Sequence, residues 1–442
     1  MATNRWIGQA DAVAQVVSGA IASVDATPSL NTFTVTIGGV SISKVGTTNV
    51  ATTAAALVSD LNASTHPYFA AITWSNPSGG TITGTADQAG VPFTATLTKS
   101  GAGTGTVTAF STTTANSGPN DWGTAANWSL GTVPVSTNVV IIENSSSPIL
   151  WGLDQNTVTL AELRIMQNML GCIGLPNDRF AQSVSGTDAS TTATKPEYRE
   201  TYLKIGATLL NIGNDTGLRS STGSPRIKID LGSVQSAIII YNSCSSSNDS
   251  GLQPIRIVGT NASNTLYVHA GTAGFATTTG SETATLLTVN QLGGTVTFGA
   301  GVTWTNVYKT GGTLYINSAG SSASLTNIGG ATYIDAVSGT IPAVGCYGGT
   351  VTITGSITIT QIDAFGGATY HKASTNITTI NLDNGATIDL SGSDASRTVT
   401  NFNVRTPGGG TYVSDRNTTL SNGILYDNSG TLVNMTAVFT PV

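Results

Sequence analysis

The chain has 442 residues, 39% of them apolar and only 9% charged, with a formal net charge of −6. That apolar content excludes a disordered chain, and the acidic balance without a Lys/Arg stripe excludes a nucleic-acid partner held through its phosphates. Cys172, Cys244 and Cys346 are odd in number and far apart, so neither a disulfide framework nor a zinc site is expected, and all three read as buried free thiols.

The first residues carry no basic stretch leading into an apolar run. Residues 12–26 are interrupted by Gln15, Ser18 and Gly19, so neither a signal peptide nor a membrane partner is expected, and synthesis in a cytoplasm is. Residues 33–37 and 40–42 alternate around Gly38-Gly39, the pattern of a β-hairpin. Residues 52–62 place Ala55, Leu57, Val58 and Leu61 on one stripe and predict a helix capped by Thr52 or Thr53. Strands are expected at 71–74, 81–85, 93–98 and 107–110. The glycines between 101 and 105 form a turn, because the Lys-Ser/Thr ending and following helix of a phosphate loop are missing. Residues 1–115 thus read as a small α+β docking module.

Residues 111–120 have a linker composition. Trp122 and Trp128 then precede an apolar strand at 138–143. They read as a cap over the open end of a stacked sheet, which would otherwise expose unpaired backbone groups; a sugar-stacking pair is the alternative. From 139 to 292 strands recur at 158–165, 202–205, 226–229, 237–241, 254–258 and 265–268, with polar inserts at 177–196 and 243–250. Residues 116–290 read as this cap followed by irregular coils with loops extruded.

From Gly293 the chain keeps time. Gly293-Gly294-Thr-Val-Thr-Phe298 is followed by Gly311-Gly312-Thr-Leu-Tyr-Ile316, Gly329-Gly330-Ala-Thr-Tyr-Ile334, Gly348-Gly349-Thr-Val-Thr-Ile353 and Gly366-Gly367-Ala-Thr-Tyr-His371, with Asn384-Gly385-Ala-Thr-Ile-Asp389 as a weaker sixth copy. The spacings are 18, 18, 19, 18 and 18 residues. A fixed period carried by Gly-Gly and alternating Thr/apolar residues marks a stacked β-repeat. A second apolar patch falls late in each unit, as in Leu325 with Ile328 or Ile359 with Ile362. The fold class is therefore mainly β: a parallel β-solenoid with regular coils over 291–407 and a terminal cap or strand exchange over 408–442.

Counting from the second glycine, the +2 and +4 columns (Val296/Phe298 to Val351/Ile353) should face inward. The +3 column reads Thr297, Tyr315, Tyr333, Thr352, Tyr370 and should face outward, as a ladder able to pack against another chain, stack on a glycan or cover the sheet. In the last two units the +4 column becomes His371 and Asp389, either an acid–base pair on adjacent coils or the product of a one-residue slip that turns both outward. His66 and His269 stand alone. Asp335, Asp363, Asp383 and Asp394 are scattered one per coil, so paired glycosidase carboxylates are not evident. No catalytic, cofactor or metal residue is expected. The candidate interaction surface is Tyr315, Tyr333, Tyr370, Trp122 and Trp128.

Residues 4–8 (Asn-Arg-Trp-Ile-Gly), 14–16 (Ala-Gln-Val), the hairpin, the helix, 72–74 (Ile-Thr-Trp) and 86–93 (Ala-Asp-Gln-Ala-Gly-Val-Pro-Phe) together resemble a module of uncharacterised structural proteins of tailed phages and integrated phage genomes. The solenoid is similar to the stacked β-repeats of phage tailspikes, head fibres and bacterial surface adhesins. The resemblance implies a non-enzymatic virion protein of capsid-decoration or head-fibre type. It would dock on the major capsid protein or another virion protein through its N-terminal region and project the solenoid, usually as a homotrimer. The alternatives are a tail fibre or tailspike that binds or cleaves host surface polysaccharide, and a bacterial surface adhesin.

Overall fold

The computed structural model describes residues 1–27, 30–174, 201–213, 226–241, 253–277, 282–318, 324–383, 385–405, 410–428 and 431–435. Two long sheets dominate it, one of 16 strands and one of 12. From Asp154–Leu160 to Thr411–Val413 the chain alternates between them, each strand pairing in parallel with the strand two further on. This is a parallel β-solenoid of about 11 turns.

The Gly-Gly units stack in register: Thr295 lies beside Thr313, then Ala331, Thr350 and Ala368. The alternation Thr/apolar puts Val296, Leu314, Thr332 and Val351 inside, with Phe298, Ile316, Ile334 and Ile353 beside them, all fully buried. On the larger sheet Val302–Lys309 is buried at Val302 and Trp304, turns two successive residues outward, and is buried again at Val307 and Lys309. Thr358–Ala364 repeats that change of phase, and its ladder skips a partner at the same place. A strand whose inward face changes phase has turned a corner, so each regular coil has three sides around one narrow core.

At the third corner the second glycine is obligatory. Gly349 has φ +68°, and a Cβ there would lie 2.2 Å from the carbonyl oxygen of Gly330 in the preceding coil. Gly312, Gly330 and Gly367 repeat this arrangement at 2.1–2.2 Å.

The sixth unit departs from expectation. Thr387 pairs with Ala368, so Ile388 lies beside Thr369 and Asp389 beside Tyr370. The unit lags by one residue at its corner, where the Ala386 amide donates to the Asp383 carbonyl at 3.2 Å. His371 keeps its inward place and is fully buried, whereas Asp389 faces outward. Neither the expected pair nor the expected double slip occurs. Ile328 also differs: Leu325 is the core residue of that patch, and Ile328 is 39% exposed.

The chain's beginning belongs to the solenoid. Thr3–Arg5 pairs in parallel with Val139–Ile142 and forms the first rung of the larger sheet. Trp6 follows it and packs edge-on against Trp128 at 5.1 Å, and Trp128 against Trp122 at 4.6 Å. The Asn127 side chain latches this end, accepting from the Ala10 amide and donating to the carbonyls of Gly118 and Asp121. The far end closes differently: Ile424–Asn428 pairs antiparallel with Thr431–Met435, a terminal hairpin.

Between rung and coils sits the module, with its own core of Ile21, Phe33, Val35, Leu57, Leu61, Phe69 and Trp74. It has a four-stranded sheet, a three-stranded sheet and the helix Val50–Ala63. The hairpin turns at Gly38-Gly39 with φ +57° and +86°, the conformation a two-residue turn demands. The helix cap is Asn49, whose Oδ1 accepts from the Thr52 amide at 3.0 Å; it replaces the expected Thr52 or Thr53, because Thr53 lies a turn inside and is buried. The strand Thr106–Thr114 runs into the stretch expected to be linker. The inserts expected at 177–196 and 243–250 lie outside the described residues.

Two glycine substitutions test the corner. Gly349→Ala places a Cβ against backbone, whereas Gly385→Ala at φ +81° meets nothing within 4 Å. Gly385→Ala should cost about 1–2 kcal/mol for the left-handed backbone alone, and Gly349→Ala clearly more. Unfolding rates in guanidinium compare them; equal effects would contradict the close approach.

Candidate functional site

The predicted interaction residues fall into two groups. Tyr315 and Tyr333 are 41% and 40% exposed and stack on each other, ring centroids 5.1 Å apart with planes 14° apart. Thr352 occupies the next coil, so Tyr370 stands apart from that stack, half-buried, with the Lys372 ammonium 5.7 Å from its ring centroid. Trp122 and Trp128 are buried, and Trp128 Nε1 donates to the Trp122 carbonyl at 2.8 Å. They fill the solenoid's end and cannot serve as an interaction surface or sugar platform.

The sequence reading missed a second outward column, which in the regular coils stands immediately before each Gly-Gly pair. It runs Tyr241, His269, Leu292, Thr310, Ile328, Tyr347, Phe365. Tyr241 stacks on His269 at 5.0 Å, Tyr347 meets Phe365 edge-on at 5.4 Å, and the Arg405 guanidinium lies 4.9 Å from the Phe365 ring centroid. Leu292 is 51% and Tyr347 48% exposed. The two columns flank the corner whose glycines carry no side chain, so an uncharged apolar edge runs along the coils between residues 290 and 350. Its signal was available in the repeat: the residue preceding Gly-Gly is Leu, Thr, Ile, Tyr and Phe in turn.

Beneath that corner the interior is polar. Gln291, Lys309, Asn327 and Cys346 occupy one inward column on four successive coils, and all are fully buried. Gln291 Nε2 donates to the Thr313 carbonyl at 2.9 Å, and Asn327 Nδ2 to the Gly348 carbonyl at 2.6 Å. Lys309 Nζ donates to Asn327 Oδ1 at 3.0 Å and to the Gly329 carbonyl at 2.5 Å. These side chains satisfy carbonyls that the tight corners turn inward. Burial pushes the Lys309 ammonium down to about 8, and burial raises the Cys346 thiol. Of the other cysteines, Cys172 is half-buried rather than buried, and Cys244 lies outside the described residues.

A second interior cluster closes the other end. Arg397, 1% exposed, donates from Nη1 to the carbonyls of His371 and Ala373, both at 2.7 Å, and to His371 Nδ1 at 3.1 Å. Its Nη2 lies 3.7 Å from Asp415. Burial, and then the facing guanidinium, hold the His371 imidazole down at about 4. The ring is therefore neutral and accepts from Arg397; this is an internal staple.

The outward carboxylates serve ladders between coils. Asp363 accepts from Gln361 and Asn381, and Asn403 donates to Asn381 at 2.9 Å. Asp389 accepts from Lys372 at 2.8 Å, and Asp335 from Thr354 at 3.0 Å. His66 caps the short helix Pro67–Ala70. An open cleft of about 690 Å³ lies between the module and the first coils, lined by Tyr68, Phe93, Leu150 and Trp151 without any charged side chain. Among the described residues no group of three or more His, Cys, Asp or Glu could hold a metal ion.

Comparison with family models, with curated proteins and with solved structures finds no match.

The His371 staple has a signed pH dependence. A base whose folded pKa, about 4, lies below its ordinary value of 6.5 stabilises the fold fully above pH 6.5, and that stability is lost as the pH falls from 6.5 towards 4. The loss should be on the order of 3 kcal/mol. Unfolding rates across this range should rise in the native chain and much less in His371→Gln.

Proposed function

We propose that the chain is a non-enzymatic structural component of a phage virion, of capsid-decoration or head-fibre type, in which copies of the solenoid associate side by side. The observation that carries this reading is the uncharged edge formed by Leu292, Ile328 and Tyr347 on one side of the glycine corner and Tyr315 and Tyr333 on the other. Exposed apolar side chains recurring along one edge, here broken at Thr310, mark an interface. A row repeating at the coil spacing is best matched by another such row, and a homotrimer is the assembly expected. The module, with a core separate from that of the coils, is suited to docking on the capsid lattice.

A tail fibre or tailspike acting on surface polysaccharide is the second reading, favoured by the exposed tyrosines. Their geometry weakens it: Tyr315 and Tyr333 already cover one face of each other at 5.1 Å, leaving less ring surface for a sugar.

Gold-labelled antibody imaging of a lysate from the source organism or its virus tests the assignment. Label spaced regularly over capsids is expected. Label at tail tips would favour the polysaccharide reading, and label on cell envelopes without particles would overturn both. In purified protein, the triple substitution Leu292→Ser, Ile328→Ser and Tyr347→Ser should shift the mass in solution from oligomer to monomer while keeping the β circular-dichroism spectrum.

A further inference from the structure

The interior column beneath the corner holds the reactants of a cross-link. We propose that Lys309 and Asn327 join through an intramolecular isopeptide bond that covalently ties one coil to the next. The two residues are register partners on adjacent parallel strands, both fully buried, with Nζ 3.0 Å from Oδ1. Among the described residues no carboxylate pairs with Lys309. A buried amine without a counter-ion favours its neutral form, and the neutral amine is the nucleophile. With the ammonium brought down to about 8 by burial, a minor part of the amine is neutral near neutral pH, and that part reacts.

The surroundings supply the other requirements of acyl transfer. Thr332 Oγ1 donates to Asn327 Oδ1 at 3.0 Å, where negative charge develops as the amide carbon becomes tetrahedral. Asn327 Nδ2, the leaving nitrogen, is fixed on the Gly348 carbonyl at 2.6 Å. The Cys346 thiol interacts with the Asn327 side chain and burial keeps it protonated, so it can pass a proton to the departing nitrogen and regain one from the attacking nitrogen. The reaction balances without an oxidant or co-reactant: Nζ–Cγ forms, Cγ–Nδ2 breaks, Oδ1 remains a carbonyl oxygen, and one ammonia leaves. Holding amine and amide in contact replaces a bimolecular encounter, and the dry core protects the product from hydrolysis.

The site does not depend on the virion assignment. Any long solenoid gains resistance to unzipping when neighbouring coils are covalently tied.

Intact-mass spectrometry of the purified full chain, denatured, tests the proposal. The expected mass is one ammonia below that of the sequence, with no cleavage after Lys309 and a single tryptic peptide over 257–372, one ammonia light, in which Lys309 and Asn327 close an internal loop. Lys309→Arg should show no ammonia deficit. Thr332→Val should leave a fraction of the chains unlinked. A native mass equal to that of the sequence, with ordinary cleavage after Lys309, overturns the proposal. So does an ammonia deficit that persists in Lys309→Arg, since the loss would then arise elsewhere.

Discussion

The solenoid depends on how closely successive Gly-Gly corners approach. At each second glycine of a Gly-Gly pair a Cβ would collide with the carbonyl of its counterpart one coil away, and φ is positive, as an L side chain rarely adopts. Within the regular coils that contact fixes the corner, and the glycine pair returns to the same place after 18 or 19 residues, which keeps both ladders in register there. Once the register holds, the sides follow from alternation. Every column then acquires one environment, inside or out.

The same corner explains the polar interior. A tight turn cannot direct all its carbonyls into the ladders, and some point into the core. Buried unsatisfied carbonyls would cost on the order of 1–3 kcal/mol each. Gln291, Lys309 and Asn327 meet them with long or amide side chains, and Arg397 does so at the C-terminal end. The outside of the corner is the reverse case. Without a Cβ at the apex, the flanking columns protrude, and their side chains form an uncharged edge of apolar residues and threonines.

Much of this was legible in the sequence. The period, the inward columns and the hairpin at Gly38-Gly39 all rest on local rules that the stacked structure obeys. Other features lie between coils or across the chain. The pairing of residues 3–5 with 139–141 spans the whole module, so no local pattern marks it, and the short strand read as part of that module. Asp389 was placed by counting from glycine, whereas the ladder lets one extra residue into the corner and rejoins at Thr387. Lys309 fell in a column filled elsewhere by Ala364 and Leu382; only the coil-to-coil register shows it in contact with Asn327. The columns that alternation makes plain follow the glycines, whereas the second outward column stands just before them.

Hydrogen–deuterium exchange followed by mass spectrometry measures the central claim, that one continuous register runs from the first rung through the regular coils. Peptides over 138–143 are expected to exchange as slowly as those from 302–309 and 358–364, because Val139–Ile142 is paired on both sides. The module between should exchange as a separate block. Fast exchange at 138–143 beside slow exchange in the regular coils would mean that the first strand does not close the solenoid, and would contradict the account.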